Sequence, residues 1–521
     1  MSTKGTSRVM AAIGTSRILG LVREILLNTF LGAGKELDAL IAAFRIPNLL
    51  RDLFAEGALS TAFVTTFSQK LAKEGKESAF RLASSVNTLL FIALFLIVAA
   101  GIIFADPLVR LLNPGFAVVP GKLELTVELT RILFPFILFL SLAAVYMGLL
   151  NSLHNFGLPA FASAVFNFIS ISVGLLLAWI LDPTFGQRSV YGFAIGVLVG
   201  GLAQWLVMVP RAISLGYKPR WLLVWNDPGL KQVLRLLGPA SIGAAAVQVN
   251  VMINGYFASY LADGSVTCLN NAFRLIQLPI GLFGVAVATV TLPHLARHAA
   301  MGERVALHER LLVGIRQTLF LTLPATIGLF LLAEPITASI FQYGRFSSES
   351  AALTALALRG YSLGLVSYAC MKVVAPAFSA IDRPGTPLRV SLTGIFINLL
   401  LNYLLIRVYN LGILGLTLTT ASVATLNILQ LAWASHRHVG SYFVPHFLQG
   451  VGKILVCCFV LIGAILAGKM FIHPLEGALI VRISGTLALI TLGAAAYFLS
   501  AKILKLPDAS LLFRPKRTKS F

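Results

Sequence analysis

Stretches of roughly 20 apolar residues recur from one end of this chain to the other, and that recurrence leaves few folds open. A helix of that length spans the hydrocarbon core of a bilayer with every backbone amide and carbonyl satisfied internally. A membrane β-barrel would show short alternating segments and a polar lumen face instead. With 57% of its 521 residues hydrophobic and 12% charged, the chain reads as an all-α integral membrane protein.

Fourteen spans can be laid out, at about 8–33, 37–69, 79–104, 124–153, 158–181, 190–212, 230–261, 266–295, 310–333, 351–381, 386–408, 412–435, 449–471 and 478–503. An even number puts both termini on one side. With the N-terminus inside, about 25 Lys and Arg fall in inward loops and tails and about 10 in outward loops, so both ends are expected in the cytoplasm. The formal charge of +21 is thereby accounted for without nucleic acid as a partner. The start lacks an apolar run followed by a small-residue cleavage site, so no removable signal peptide is expected. Cys268, Cys370, Cys457 and Cys458 lie in apolar segments without metal-ligand spacing, and His436 and His438 point to different sides of a helix. Neither a metal nor a cofactor is expected.

Six basic residues fall inside spans: Arg17, Arg23, Arg45, Arg51, Arg274 and Lys372. An Arg at mid-membrane costs at least about 2.5 kcal/mol, so such charges face a partner or water rather than lipid. Some pairing is available locally. Glu24 adjoins Arg23, Glu56 can approach Arg51, and Asp52 can pair at an interface. Arg17, Arg45, Arg274 and Lys372 have no obvious carboxylate, because the second half holds almost none within its spans. Arg17 and Glu24 are two helical turns apart and share a stripe; Arg45, Asn48 and Asp52 form a second. Pro47 removes an amide donor beside Arg45, where a kink or local unwinding is expected.

The chain also repeats itself. AFRIPNLLRDLF at Ala43 to Phe54 aligns with AFRLIQLPIGLF at Ala272 to Phe283, and Gly157-Leu-Pro159 aligns with Gly385-Thr-Pro387 at nearly the same shift. Two six-helix lobes over 1–225 and 226–440 are expected, with two extra helices and a basic tail over 441–521. An arginine-rich wet vestibule between two such bundles suits a large anionic amphiphile, since the guanidinium fork matches phosphate oxygens. The alternatives are an exporter of another polyprenyl-linked saccharide or of drugs, and a non-transporting membrane scaffold. An enzyme is not expected, because no nucleophile or paired carboxylate stands beside a base.

TSRILGLVREILLNTFLGAGKELDALIAAFRIPNLLRDLFAEGALSTAFV, Thr15 to Val64, closely resembles the opening of the MurJ (MviN) family, lipid II flippases of the multidrug/oligosaccharidyl-lipid/polysaccharide exporter superfamily. FQYGRF at Phe341 and LPIGLFGVAVATVTLP at Leu278 are similar to further family stretches. The resemblance implies transporters that carry undecaprenyl-pyrophosphate-linked muropeptide, lipid II, from inner to outer leaflet by alternating access for peptidoglycan synthesis. It implies a bacterial cytoplasmic membrane location, a monomer, and a groove for the lipid tail made by the last two helices. Carried over by position, the cavity arginines are Arg17, Arg23, Arg51 and Arg274, with acidic partners at Asp38 and Glu56, and Arg45 fills a place where the family also tolerates Lys; the charge reading above adds Lys372 to the substrate-binding set and Glu24 and Asp52 to the gate or charge partners. Two departures stand out. Ala-Phe-Arg replaces Ala-Asp-Arg at 272–274, and Asn254, Asn398 and Asn402 stand where some relatives bind sodium with carboxylates, so weak or absent sodium coupling is expected.

Overall fold

Runs of Leu, Ile, Val, Phe and Ala around few charges fold into helices here because helix is the backbone arrangement that needs no outside hydrogen-bond partner. The computed structural model describes residues 3–51, 58–472, 474–475 and 479–509, with side chains outside 3–11, 13, 58, 60, 239–244 and 246, and no strand occurs among the described residues. Contacts divide the chain into two compact units, Met1–Thr267 with Tyr343–Phe346, and Cys268–Gln342 with Ser347–Phe521.

The first unit holds α1 (Thr3–Leu31), α2 (Lys35–Arg51), α3 (Ala58–Glu74), α4 (Lys76–Ile103), α5 (Ala105–Leu112), α6 (Lys122–Leu133), α7 (Phe136–Ser152), α8 (Gly157–Leu181), α9 (Ser189–Leu206), α10 (Val209–Ser214) and α11 (Pro228–Ala258). Local chemistry sets several ends. At α11 the Asp227 carboxylate accepts from the Gly229 amide (2.7 Å) and Pro228 takes the first helical position. Lys70 Nζ reaches that same carboxylate at 2.7 Å and ties α3 to it. The helix α2 carries Pro47 within it and runs on to Arg51, so the backbone does not unwind beside Arg45.

Packing in this unit is set by small residues. Gly192, Gly196 and Gly200 recur every fourth position on α9 and face α8: a Cβ at Gly192 would lie 2.2 Å from Ala178 N, at Gly196 2.5 Å from Gly174 Cα, and at Gly200 2.2 Å from Ser170 Oγ. The two backbones touch, which gains dispersion where burial of apolar surface gains little. The α11 helix lies against α3, α4 and α5, and the unit therefore extends to Thr267, past the expected lobe boundary at 225.

The helix α12 (Ser265–Pro279) begins in the first unit and continues into the second. The second unit then runs through α13 (Val285–Ala300), α14 (Arg304–Leu331), α15 (Ala333–Phe341), α16 (Ser348–Ser362), α17 (Leu365–Ala380), α18 (Gly385–Asn402), α19 (Gly412–His438), α20 (Pro445–Phe471) and α21 (Leu479–Ile503). The last pair is fastened to α14 and α15 by polar ties at several heights. Buried Tyr497 donates to the Phe320 carbonyl (2.7 Å), and Arg316 binds Asp508 (2.8 Å). Lys469 donates to the Leu331 carbonyl (2.6 Å), and Arg482 to Gln342 Oε1 (2.6 Å) and the Ala338 carbonyl (3.2 Å). Two cations thus meet carbonyls in the closing turns of α14 and α15, where the helix dipole favours positive charge.

Among the described residues ten helical stretches are long and apolar enough to cross a membrane, or eleven if Ser348–Ser362 and Leu365–Ala380, bent by 41°, form one span. The three expected spans outside that set, 8–33, 37–69 and 230–261, carry Arg17, Arg23 and Glu24, then Asp38, Arg45 and Arg51, then Gln248, Asn250 and Asn254. Within 37–69, residues 52–57 lie outside the described residues and α2 and α3 are each 17 residues long. Replacing Gly196 by Ala is expected to cost about 1–3 kcal/mol by overpacking, seen as a lower unfolding temperature in detergent. Gly463→Ala, with nothing within 4 Å, should leave it unchanged or slightly raised; equal melting of both variants would mean that α8 and α9 are not in backbone contact.

Candidate functional site: charges at membrane depth in the first unit

The most constrained charge is Asp38, in the opening turn of α2 and wholly buried. Its Oδ1 accepts from the Thr267 amide (2.8 Å) and the Thr267 hydroxyl (2.7 Å). Its Oδ2 accepts from the Gly264 amide and from Lys122 Nζ, each at 2.8 Å. Gly264 and Thr267 bracket the first turn of α12, so Asp38 caps that helix from outside its own sequence and meets its positive dipole end. Lys122, 2% exposed at the start of α6, also reaches Asp263 at 2.5 Å and lies 4.3 Å from the centre of the Phe116 ring. Gly264 must be glycine on two counts: its φ is +83°, and a Cβ would come 2.7 Å from the Ala33 carbonyl oxygen.

Asp38 and Thr267 are 229 residues apart, the same shift that relates Arg45 to Arg274. The carboxylate therefore bonds to its own counterpart in the repeat, where the second copy has a hydroxyl. That exchange of Asp for Thr leaves one carboxylate for two helix starts.

The expected binding residues have separate surroundings. Arg23 lies largely inside the unit, with Nη2 3.8 Å from Glu24 and its guanidinium 5.1 Å from the Phe166 ring of α8. Arg17 is exposed while Glu24 is buried, so the stripe expected to join them is not one environment. Arg45 is half-buried and fits over Gly255 of α11, where a Cβ would meet its Nη1 at 2.6 Å; Leu112, Asn113 and Met252 complete a small cleft there. Arg51 is half-buried in the last turn of α2. Asp52 and Glu56 lie outside the described residues.

In the second unit Arg274 is half-buried on α12 and Lys372 is exposed on α17. Phe273 packs on Tyr361 with ring centres 5.5 Å apart, so the position beside Arg274 is an aromatic contact. Asn398 and Asn402 are buried on α18, and the Asn402 amide donates to Asn398 Oδ1 at 2.5 Å. Among the described residues no group of three His, Cys, Asp or Glu is placed to hold a metal. Lys122 and Asp263 escaped the sequence reading because each sits at a span boundary and Asp38 is 84 residues from Lys122.

Removing Asp38 strands four donors. Asp38→Ala is expected to cost about 3–5 kcal/mol, as is typical when one partner of a buried pair is deleted. Lys122→Ala should cost similarly, and the double variant distinctly less than the sum. Additive losses in a thermal double-mutant cycle would show that the two side chains are not coupled.

Comparison with known proteins agrees with this architecture. The profile of the family described as lipid II flippase MurJ matches residues 27–483. The lipid II flippase MurJ of Burkholderia cenocepacia is 35% identical over 450 residues, 85% of this chain and 86% of the relative. The probable lipid II flippase MurJ of Vibrio cholerae is 33% identical over 460 residues, 87% of this chain and 86% of the relative. A solved structure of lipid II flippase MurJ in an inward closed conformation superposes with a TM-score of 0.77 at 25% identity, covering 97% of this chain and 99% of that one. An inward-facing MATE family multidrug transporter shares the fold alone, with a TM-score of 0.67 at 17% identity over 85% of this chain and 95% of that one.

Proposed function

This chain belongs to the MurJ family of lipid II flippases, and on that premise we propose that it carries lipid II from the inner to the outer leaflet of the bacterial cytoplasmic membrane by alternating access. The observation that carries the reading is the surplus of cations at membrane depth. Arg17 in the first unit and Lys372 in the second are exposed, Arg45, Arg51 and Arg274 are half-buried, and Asp38 is committed to Lys122 and the start of α12. A pyrophosphate headgroup carries the negative charge that a cation-rich lining attracts, and guanidinium forks bind its oxygens in pairs. Arg23, held against Phe166 beside Glu24, supports α1 from behind.

Both termini lie in the cytoplasm on this reading, by the distribution of Lys and Arg over the loops. The protein acts as a monomer, with the α20 and α21 pair offering its exposed apolar side chains, among them Phe459 and Leu487, to the polyprenyl tail. The Asn398–Asn402 amide pair carries no charge for a sodium ion. The membrane potential then supplies the drive, at about 2.3 kcal/mol per charge for each 100 mV.

Loss of one charge-assisted contact is worth about 1.5–3 kcal/mol, or roughly 10–100-fold. Arg17→Ala and Arg274→Ala are therefore each expected to lower lipid II delivery to the outer leaflet by at least about tenfold with normal membrane insertion; full delivery by both variants would remove the proposed role of these arginines. Replacing sodium by potassium on both sides of a vesicle, at a fixed potential, is expected to leave the rate within about twofold, whereas collapse of the rate would show sodium coupling despite the neutral amides.

A further inference from the structure

The repeat continues beyond the stretches visible by eye. The short helix α5 opens on Ala105-Asp106-Pro107 and α15 on Ala333-Glu334-Pro335, 228 residues on. Each is followed by a glycine, Gly115 and Gly344, 229 apart. The amide of Gly115 donates to Ser259 Oγ (3.1 Å), and a Cβ there would lie 2.4 Å from the Ser259 carbonyl oxygen at the end of α11. At Gly344, whose φ is +56°, a Cβ would lie 2.4 Å from the Thr29 carbonyl oxygen near the end of α1. Thr29 and Ser259 are 230 apart. A glycine of the first repeat thus seats on the first long helix of the second, and a glycine of the second repeat on the first long helix of the first. All four residues belong to the first unit, which takes in Tyr343–Phe346 although the chain on both sides of that tetrapeptide belongs to the second.

Arg345 reinforces the second seat. Its amide donates to the Thr29 carbonyl (2.9 Å), and its guanidinium to the carbonyls of Thr184 (2.8 Å) and Phe185. The loop that presents those carbonyls is shaped by Asp182, which accepts from the Thr184 hydroxyl (2.7 Å) and amide (3.1 Å); the hydroxyl above all holds its carboxyl below the usual carboxylate range. Gly32, with φ +72°, leaves room for the Arg345 carbonyl, which a Cβ would meet at 2.8 Å. These contacts run between backbone groups, from a backbone amide to the Ser259 hydroxyl, or from the guanidinium to backbone carbonyls. Water can replace each of these hydrogen bonds, while the buried Phe116 and Phe346 and the stacked Phe30 and Phe185 rings, 4.4 Å apart, flank the seats.

We propose that the two glycine seats, with Arg345, form a reciprocal clasp that holds closed the end of the molecule facing the outer leaflet, and that both seats part together when the carried headgroup leaves. The proposal rests on the alternating-access reading above, which also assigns that end to the outside.

The test uses the full chain with its four cysteines replaced and one reporter cysteine, labelled from outside by a membrane-impermeant maleimide. Ala258→Cys, 4% exposed, reports the Ser259 seat, and Leu31→Cys, 8% exposed, reports the Thr29 seat. Each substitution is read at the far seat: Gly344→Ala is expected to raise labelling of Ala258→Cys at least tenfold, and Gly115→Ala to raise that of Leu31→Cys as much. Arg345→Ala adds no bulk and should act in the same direction more weakly, while Gly463→Ala should change nothing. Labelling that rises only at the substituted seat, or not at all in Arg345→Ala, would overturn the clasp. Lipid II delivery by the reporter proteins is measured separately: delivery with flat labelling defeats the clasp alone, and coupled labelling without delivery defeats the transport reading alone.

Discussion

A positive side chain at membrane depth has three stable surroundings: a carboxylate, the carbonyl end of a helix, or water, and this fold is arranged by which of them each cation receives. Lys122 takes two carboxylates, Asp38 and Asp263, at the junction of α2, α6 and the start of α12. Arg316 takes Asp508, and Lys70 takes Asp227. Lys469 and Arg482 take backbone carbonyls of the closing turns of α14 and α15, which fastens the final helix pair. Carboxylates placed in structural pairs are unavailable to Arg17 or Lys372, both exposed, and the proposed binding of an anionic headgroup draws on that remainder.

The repeat gives this economy its form. The repeat carries aspartate at 38 and threonine at 267, and the one carboxylate closes on the hydroxyl and amide of its counterpart. The same relation recurs at Gly115 and Gly344, whose seats are exchanged between repeats. Small-residue contacts occur in two kinds. The ladder Gly192, Gly196 and Gly200 brings α8 and α9 into direct contact, whereas the two seats set single glycines against the ends of α11 and α1 and add hydrogen bonds to Ser259 and from Arg345.

Much of this was legible in the sequence, for reasons that differ by element. Long apolar runs marked most helices, because period and length suffice when few charges intervene. The cost of charge in lipid singled out Arg45 and Arg274, and the matched Ala-Phe-Arg tripeptides supplied the shift of 229 that the Asp38 bonds obey. Helical spacing was a poor guide to environment, since Arg17 and Glu24 share a stripe yet one is exposed and the other buried. The short helices α5 and α15 read as loop because they begin with Ala-acid-Pro and hold only 8 and 9 residues. Lys122 was hidden by distance, because its partners lie 84 and 141 residues away and only tertiary structure brings them together.

Selective retention of a diphosphate lipid tests the account most directly. Native mass spectrometry of the purified protein can compare a polyprenyl diphosphate with the monophosphate of the same chain length, before and after Arg17 and Arg274 are both changed to Gln. If the cations proposed to bind the headgroup hold the cargo, the unaltered protein retains the diphosphate about tenfold or more in preference, and the double variant loses that preference while keeping its bound phospholipids. Equal retention of the two lipids by the unaltered protein, or a preference that survives in the double variant, would contradict it.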